Sequence, residues 1–195
     1  GGILVTGRQF TLLAHDVIIR HMRFRGGSQA MANGADPETL DSFDVWGKFW
    51  GGPNADANNI IIDHSSFSWG VDETFVITGG VTNTTVQWSV VSEGLSNAGH
   101  PKGEHSKGMF ISGKYVYPNS VSAHHNYIAH NIDRSPEIAS DSDVDTLVDF
   151  VNNVSYDWYG GLSLQGGGGA KINWVNNYAR QGSLSNSYSF EVMHF

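Results

Sequence analysis

The residue whose surroundings most suggest chemistry is Arg134. It follows the polar run His124–Asp133 and precedes Ser135-Pro136, which predicts a turn. The chain has 11 lysines and arginines among 195 residues, so an arginine beside a histidine- and asparagine-rich run is conspicuous. A guanidinium is effectively always protonated and holds its donors in a rigid fork. Arg134 is therefore suited to stabilising negative charge on a bound group or in a transition state.

The composition is typical of a turn-rich β protein. Hydrophobic residues make up 39% of the chain and charged residues 15%, and there are 24 glycines. Helical bundles use more alanine, leucine, glutamate and lysine than this. A chain of 195 residues can bury one good core, so we expect a single domain over residues 1–195. The chain opens at Gly1 without methionine, as a mature or trimmed piece would.

Charge and residue usage exclude several partners and sites. The net charge of −8 argues against nucleic acid, and it would repel a polyanion unless a cation or a local basic cluster intervenes. Cysteine is absent from the sequence, which excludes disulfides and thiolate metal sites. No run of 18 apolar residues occurs, so the sequence predicts no membrane span and no membrane partner.

Six nine-residue runs with a shared pattern must provide the scaffold. They are Asp16–Phe24, Asn59–Phe67, Asn83–Val91, Asn119–Tyr127, Thr146–Val154 and Ala170–Tyr178. Their starts lie 24 to 43 residues apart, and a period near 24 with longer intervals for inserted loops is typical of a solenoid.

Aligned in this way, two positions of the runs predict inward-facing columns. The third position reads Ile18, Ile61, Thr85, Val121, Val148 and Ile172. The ninth position reads Phe24, Phe67, Val91, Tyr127, Val154 and Tyr178. The eighth position is asparagine in the last three runs (Asn126, Asn153 and Asn177), which predicts an amide ladder that bonds one coil to the next.

Further short strands are expected between the runs, and the sequence shows no convincing helix of three turns. The candidates are Thr11–Ala14, Phe43–Trp46, Thr74–Ile77, Met109–Ile111 and Leu162–Leu164. Two or three short strands in each coil predict an all-β chain folded as a right-handed parallel β-helix. Function tends to lie on loops of a rigid scaffold. Here the long loops are Gly26–Leu40, Lys48–Asn58 and Glu93–Glu104.

Several motifs in the same order resemble polysaccharide lyase family 1, the pectate lyases and pectin lyase-like proteins. Asn59–Glu73 contains an Ile-Asp-His strand followed by Trp-x-x-Asp-Glu, and His124–Pro136 contains His-His-Asn and Arg-x-Pro. Asn83–Leu95 and His100–Gly108 resemble the bacterial branch of that family. The resemblance runs from about residue 16 to residue 178, and the family fold is a right-handed parallel β-helix.

The resemblance implies a secreted, monomeric enzyme that cleaves polygalacturonate, an acidic plant-type polysaccharide, by elimination. A base removes the weakly acidic proton at C5 of a uronate, and the oxygen at C4 leaves. This chemistry needs positive charge against the uronate carboxylate. In the family that charge comes largely from Ca²⁺ bridging acidic side chains and substrate, and hard oxygen ligands suit this ion.

The family roles transfer to individual residues. Arg134 matches the catalytic arginine, assigned in the family as the base, although a charge-stabilising role is physically easier for a guanidinium. Lys107 matches a lysine that binds a uronate carboxylate and assists catalysis, and the neighbouring His105 and Lys102 are further substrate-binding candidates. The implied calcium ligands are Asp41, Asp72, Glu73 and, as a fallback, Asp44.

Other polar residues are expected to be structural. A buried Asp63 beside His64 can pair locally, and His124 and His125 are expected to pack or bond within the stack. Trp50, in a glycine-rich loop, is the best of the tryptophans for stacking on a sugar ring. Trp88 is expected to pack within a strand.

Two departures from the family pattern leave the substrate open. The third calcium aspartate of the family falls on Val76. Either Glu73 takes its place as a ligand, or the protein's own site is weak and the substrate completes it. Two positions near the catalytic arginine that are often basic hold Glu137 and Ala139. Fewer positive charges favour a partly methylated pectin, another uronan or a degenerate site.

Two other functions compete with the lyase. A galacturonan hydrolase on the same scaffold would group several carboxylates, including an Asp-Asp pair, and no such pair occurs. A non-catalytic carbohydrate-binding β-helix is favoured by Val76, Glu137 and Ala139. Geometry discriminates: a lyase should gather Arg134 and Lys107 with the acids in one groove, whereas a binding module would bury Arg134 in a salt bridge on another face.

Overall fold

The computed structural model describes residues 2–105, 107–141, 144–160, 163–164 and 169–185, with only the backbone given at 163–164. The strands in chain order are β1 Leu4–Thr6, β2 Phe10–Leu12, β3 Val17–Arg20, β4 Arg23–Arg25, β5 Phe43–Trp46, β6 Asn58–Asp63, β7 Ser66–Ser68, β8 Glu73–Thr78, β9 Thr82–Gln87, β10 Val90–Ser92, β11 Lys107–Gly113, β12 Asn119–His124, β13 Tyr127–Ala129, β14 Glu137–Ser140, β15 Thr146–Val151, β16 Val154–Tyr156, β17 Ser163–Leu164, β18 Ala170–Val175 and β19 Tyr178–Arg180.

Three parallel sheets form the molecule, and each coil contributes one strand to each sheet. Sheet 1 has the order β1-β4-β7-β10-β13-β16-β19, sheet 2 the order β2-β5-β8-β11-β14-β17, and sheet 3 the order β3-β6-β9-β12-β15-β18. Parallel pairing of every third strand confirms the predicted parallel β-helix. The strand candidates are confirmed at β2, β5, β8, β11 and β17, although Leu162 lies outside the described residues.

Each of the nine-residue runs proves to be two strands joined at a corner between sheets 3 and 1. The corner residue adopts a left-handed conformation in every run, with φ between 47° and 55° at His21, His64, Trp88, His125, Asn152 and Asn176. Trp88 is therefore a corner residue rather than a strand residue. Its side chain is 53% exposed and stacks on His125 with ring centroids 4.2 Å apart, so the expected strand packing is wrong.

The predicted inward columns are wrong by one residue in half of the runs. In the register of sheet 3, Val121 aligns with Thr84 and Ile60, while Ile18 and Ile61 are 66% and 39% exposed. In sheet 1, Ile128 rather than Tyr127 aligns with Val91. A slip of one residue moves every side chain to the other face of a strand, because side chains alternate between faces.

The one-residue error arose because the alignment matched Asn59, Asn83 and Asn119, which have different structural roles. Asn59 and Asn83 are exposed, left-handed residues with φ of 52° and 48°, and the Asn83 amide donates to Asn59. Asn119 is 1% exposed, and its Oδ1 accepts from the backbone N–H of Val81 at 2.8 Å. The same amide type therefore serves an outer ladder in two coils and a buried turn in the third.

The core consists of aliphatic columns and a stack of aromatic rings. Phe24 stacks on Phe67 at 5.3 Å, Phe43 stacks on Phe75 at 5.6 Å, and the two stacks meet edge to face. Burial of this apolar surface is the main driving force that holds the coils together.

The asparagine ladder is confirmed by its hydrogen bonds. Asn153 Oδ1 accepts from the backbone N–H and the side-chain amide of Asn126 at 2.9 and 3.0 Å. Asn177 Oδ1 accepts the corresponding bonds from Asn153 at 2.9 and 3.1 Å. The ladder satisfies backbone groups at corners where water has no access.

Replacing Asn153 with alanine should lower the free energy of unfolding by about 2–4 kcal/mol. The change removes the acceptor of the buried Asn126 backbone N–H and one of the two acceptors of the Asn126 side-chain amide, and it leaves the Ala123 carbonyl without its side-chain donor. Urea unfolding checks this against Asn173→Ala, whose exposed amide bonds Asp149 and no other group among the described residues. Equal effects of the two variants would contradict a structural ladder.

The long loops leave the coil where the sequence suggested. They lie between β4 and β5, between β5 and β6, and between β10 and β11. The first contains two 3₁₀ turns, Gln29–Asn33 and Pro37–Thr39, and the second contains α1, Lys48–Gly51. Within the described part of the chain, no helix is long and apolar enough to cross a membrane.

Candidate functional site

The residues expected to act lie at the edge of sheet 2 where its strands begin. Glu73 starts β8 and Lys107 starts β11, and these two residues are register partners. Three residues further along the strands, Asp44, Val76, Phe110 and Glu137 lie side by side in neighbouring strands. The parallel stacking thus brings together residues that are separated by up to 93 positions in the sequence.

Three carboxylates converge at this edge. Asp41, Asp72 and Glu73 each offer an oxygen within 4.8 Å of the others, and we call them the carboxylate triad. Asp41 Oδ1 accepts from the backbone N–H of Glu73 at 2.7 Å, which fixes its orientation. Asp44 lies outside the triad, is fully buried and accepts a hydrogen bond from Gln9.

Burial and mutual repulsion make these carboxyls hold protons more tightly than usual. Burial raises the pKa of Asp44 to about 7, and burial with the charges of Asp44 and Glu73 raises the pKa of Asp41 well above its ordinary value. The pKa values of Asp72 and Glu73 are also raised, chiefly by burial. Nearby cations oppose the rise, as expected for a group of acids that is stabilised by added positive charge.

Two stacked histidines hold one member of the triad. His105 Nε2 lies 2.6 Å from Asp72 Oδ1, and the rings of His105 and His100 stack with centroids 3.9 Å apart. Burial, followed by His100 and Lys107, lowers the pKa of His105 to about 4. His105 is therefore neutral at pH 7, and its Nε2–H donates to the Asp72 carboxylate.

The tautomer of His100 argues against a metal bound by the two histidines and Asp72, although their ligand atoms lie within 4.8 Å of one another. His100 Nδ1 accepts the backbone N–H of Lys102 at 3.1 Å, so the ring proton is on Nε2. This Nε2–H points towards Asp72 Oδ1 at 3.6 Å, beyond hydrogen-bond distance. Both imidazoles therefore present N–H groups to Asp72, and its other oxygen remains available to the triad.

Arg134 lies between two glutamates on an aromatic ring. Its Nη1 donates to Glu73 Oε1, and its Nε is 2.7 Å from Glu137 Oε2. The guanidinium carbon lies 4.3 Å from the centroid of the Phe110 ring, a cation–π arrangement. The Arg134 side chain is 18% exposed, and the backbone carbonyl of Arg134 accepts from Met109 N–H at 2.7 Å. Arg134 is thus in salt bridges, but on the same face as the triad.

The expected lysines differ in their pairing. Lys107 donates its backbone N–H to the Asp72 carbonyl at 2.8 Å, and its side chain makes no ion pair within the residues that the structure describes. Lys102 is exposed and pairs with Glu38 at 2.8 Å. Lys114, which was not expected at the site, pairs with Asp141 at 3.1 Å. Lys107 is therefore the cation with the most freedom to meet a ligand.

A groove of about 250 Å³ runs beside the triad. Its walls combine acidic with apolar side chains, and they comprise Glu38, Thr39, Asp41, Trp46, Trp50, Asp72, Glu73, Val76, Thr78, Phe110 and Lys114. Arg134 and Lys107 are not among these lining residues, although both are neighbours of Glu73. Trp50 is 52% exposed and leans edge-on against Phe49, with ring centroids 4.8 Å apart. Three larger depressions elsewhere hold no comparable group of acids and cations among their lining residues.

Residues expected to be structural lie away from the groove. Asp63 is 3% exposed in sheet 3 and accepts from Arg20 at 2.6 Å, from His64 at 2.7 Å and from Gln87 at 3.0 Å. His124 and His125 contact each other through their Nδ1 atoms at 3.0 Å, at the corner between sheets 3 and 1. These contacts match the expected local pairing.

Sequence reasoning missed three features of the site. Two of them are the Phe110 ring beneath Arg134 and the pairing of Glu137 with Arg134. Both follow from the strand register, which could have been found by aligning β11 with β14. The contact of the His100–His105 stack with Asp72 depends on how the loop between β10 and β11 returns to the start of β8, and residue spacing alone gives no signal for it.

Several fungal proteins named probable pectate lyase C are similar to this chain. The protein from Aspergillus flavus is 33% identical over 181 residues, which are 91% of this chain and 36% of that protein. The protein from Neosartorya fischeri is 31% identical over 193 residues, 97% of this chain and 38% of that protein. The protein from Emericella nidulans is 34% identical over 161 residues, 82% of this chain and 31% of that protein.

The chain thus spans about a third of the length of these curated relatives. No protein-family model matches the chain. The relatives are fungal, so they do not support the expected resemblance to the bacterial branch. The chain is thus similar to proteins named probable pectate lyase C over most of its own length.

Proposed function

We propose that this chain is a polysaccharide lyase of the pectate lyase type that cleaves α-1,4-linked polygalacturonate by β-elimination. The observation that carries the proposal is the meeting of Arg134 and Lys107 with the carboxylate triad at one edge of sheet 2. The similarity to proteins named probable pectate lyase C supports the same substrate class.

The carboxylate triad fits Ca²⁺. Three carboxylates with oxygens within 4.8 Å of one another form a hard, anionic donor set, which this ion prefers. Asp41, Asp72 and Glu73 would hold the ion, with Asp44 beneath them as a buried neighbour. When bound, calcium would supply positive charge against the uronate carboxylate and allow an acidic protein to hold a polyanion.

Arg134 and Lys107 would stabilise and bind the negative charge of the substrate during the elimination. The C5 proton leaves to a base, the electrons of the C5–H bond form the C4–C5 double bond, and the C4–O bond breaks. The glycosidic oxygen then takes up a proton. Arg134, which is held against Phe110, would stabilise the negative charge that develops on the carboxylate side of C5. Lys107 would bind the same or a neighbouring uronate carboxylate.

The remaining candidates act on the sugar chain or on the triad. We propose Trp50 as a stacking platform for a sugar ring. Lys102 would bind the substrate only after its ion pair with Glu38 breaks. His105 is 6% exposed, so we assign it to orienting Asp72 in addition to the substrate contact expected from the sequence. We further propose a secreted, monomeric protein with one catalytic domain.

The decisive assay measures the ultraviolet absorbance of unsaturated uronides. Polygalacturonate is mixed with the protein in the presence of Ca²⁺, and the measurement is repeated with a chelator. A calcium-dependent rise that is lost on chelation is the expected result. A flat trace with both polygalacturonate and methylated pectin would overturn the lyase proposal and favour a carbohydrate-binding β-helix.

Methylated pectin is the second candidate substrate. Most cations near the groove already have acidic partners: Arg134 is paired with two glutamates, Lys102 with Glu38, and Lys114 with Asp141. Val76 adds an apolar surface where an acid was expected. A neutral, methylated uronate would meet less repulsion there. Absorbance that rises only with methylated pectin and ignores the chelator would favour this alternative.

Replacing His105 with glutamine should weaken calcium binding by about tenfold, because Asp72 loses the donor that orients it. Isothermal titration with calcium chloride measures the change. His130→Gln is a matched control, since His130 pairs with Asp157 rather than with a member of the triad. An unchanged dissociation constant for His105→Gln would argue against a positioning role.

A further inference from the structure

Glu73 contacts a cation while it belongs to the carboxylate triad. Its carboxylate lies with Asp41 and Asp72 in the group whose ligand atoms are within 4.8 Å of one another. The same carboxylate accepts a hydrogen bond from Arg134 Nη1. Glu73 is 8% exposed, so solvent screens little of this interaction. A divalent ion in the triad and the guanidinium would repel each other across one shared carboxylate.

Arg134 has a second carboxylate within reach on its other side. Its Nε lies 2.7 Å from Glu137 Oε2, without the alignment of a hydrogen bond. Phe110 lies beneath the guanidinium and is the register partner of Glu137, so the ring and this acid belong to adjacent coils of sheet 2. The guanidinium can therefore exchange one acid for the other while it stays on the ring.

We propose that Glu137 is a positioning residue that takes over Arg134 when a divalent cation occupies the triad. Glu73 then either pairs with Arg134 or coordinates the cation, but does not do both. Glu137 keeps the guanidinium on Phe110, while Nη1 is released for a substrate carboxylate. The inference rests on the proposed function for the identities of the cation and the substrate.

Linkage gives the proposal a measurable consequence. If Arg134 competes with the cation for Glu73, a group that holds Arg134 away from Glu73 strengthens cation binding. A change that returns Arg134 to Glu73 weakens cation binding. Glu137 is thus expected to favour calcium binding through Arg134. If Glu137 instead favoured calcium binding only through its own negative charge, its effect on the calcium dissociation constant would be the same with and without Arg134.

Isothermal titration of calcium chloride into five proteins separates the two explanations. We expect Arg134→Gln to bind calcium about tenfold more tightly than the unsubstituted protein, and Glu137→Gln to bind about fivefold more weakly. In the double variant, the effect of Glu137→Gln should fall below about twofold. Lys107→Gln is the matched control for loss of a nearby positive charge, because Lys107 makes no ion pair with Glu73 among the described contacts. Its effect should be smaller than that of Arg134→Gln.

A measurement on the unsubstituted protein covers the case in which a variant fails to fold. The Nε–H resonance of Arg134, assigned by comparison with Arg134→Lys, should shift as calcium saturates the protein. An unshifted resonance at saturation would overturn the proposal. So would equal effects of Arg134→Gln and Lys107→Gln, or an effect of Glu137→Gln that persists in the double variant.

The outcomes for the two proposals remain distinguishable. Calcium binding with the expected coupling but no unsaturated product would overturn the lyase function and leave the linkage standing. Absence of calcium binding would overturn the linkage, while elimination measured with a chelator present would keep a metal-independent lyase.

Discussion

Replacing Arg134 with alanine is expected to lower kcat/KM on polygalacturonate by about 10²–10³-fold, the cost of removing one preorganised group that stabilises transition-state charge. The reason is geometric, because two glutamates and the Phe110 ring hold this guanidinium at the edge of the groove. The loss should appear mainly in kcat, since charge on the substrate develops beyond the ground state. Initial rates of absorbance increase at saturating calcium provide the measurement.

Two further variants make this result specific. Arg134→Lys keeps the charge but loses the planar fork, so it should recover only part of the lost activity. Arg23→Ala removes an exposed arginine of sheet 1 whose side chain, in the part of the chain that the structure describes, bonds the Gly2 carbonyl alone, and it should leave the rate unchanged. Full activity in Arg134→Ala would remove Arg134 from the chemistry and leave it as part of a structural ion-pair network.

The repeat in the sequence was sufficient for the fold but not for its register. Coils of about 24 residues with short apolar runs admit few architectures, so the parallel β-helix could be predicted. Which residue of each run faces inward depends on where the corner lies. That corner is set by a single left-handed residue such as His64 or His125, and no residue type marks it uniquely. Matching Asn59 with Asn119 therefore displaced half of each predicted column by one position.

The site was predictable as a set of residues but not as a set of contacts. Motif resemblance named Arg134, Lys107 and Asp72 because short motifs keep their order along the chain. The pairing of Arg134 with Glu137 and the contact of His105 with Asp72 depend on which coils are adjacent and how loops return to them. Glu137 in particular looked like the loss of a positive charge, and the geometry instead makes it the second partner of Arg134.

Replacing Asp44 with asparagine should stabilise the calcium-free protein at pH 8 by about 2–4 kcal/mol and have little effect near pH 4. Burial raises the pKa of Asp44 in the folded protein to about 7, above the ordinary aspartate value of 3.8. The folded state therefore binds more protons than the unfolded state between these values. The stability that Asp44 contributes is present at low pH and is lost as the pH rises through about 7. Asparagine carries no charge and can still accept the hydrogen bond from Gln9.

Urea unfolding at several pH values in the presence of a chelator measures this effect, because a bound cation would itself stabilise the charged carboxylate. Asp63→Asn is the matched comparison with the opposite sign. The pKa of Asp63 is lowered by hydrogen bonds from Gln87, His64 and Arg20, which outweigh its burial. Its stabilising contribution is present above pH 4 and is lost at lower pH, so Asp63→Asn should destabilise the protein at pH 8. If Asp44→Asn also destabilised the protein at pH 8, Asp44 would be a charged group stabilised by its surroundings, and burial would not raise its pKa.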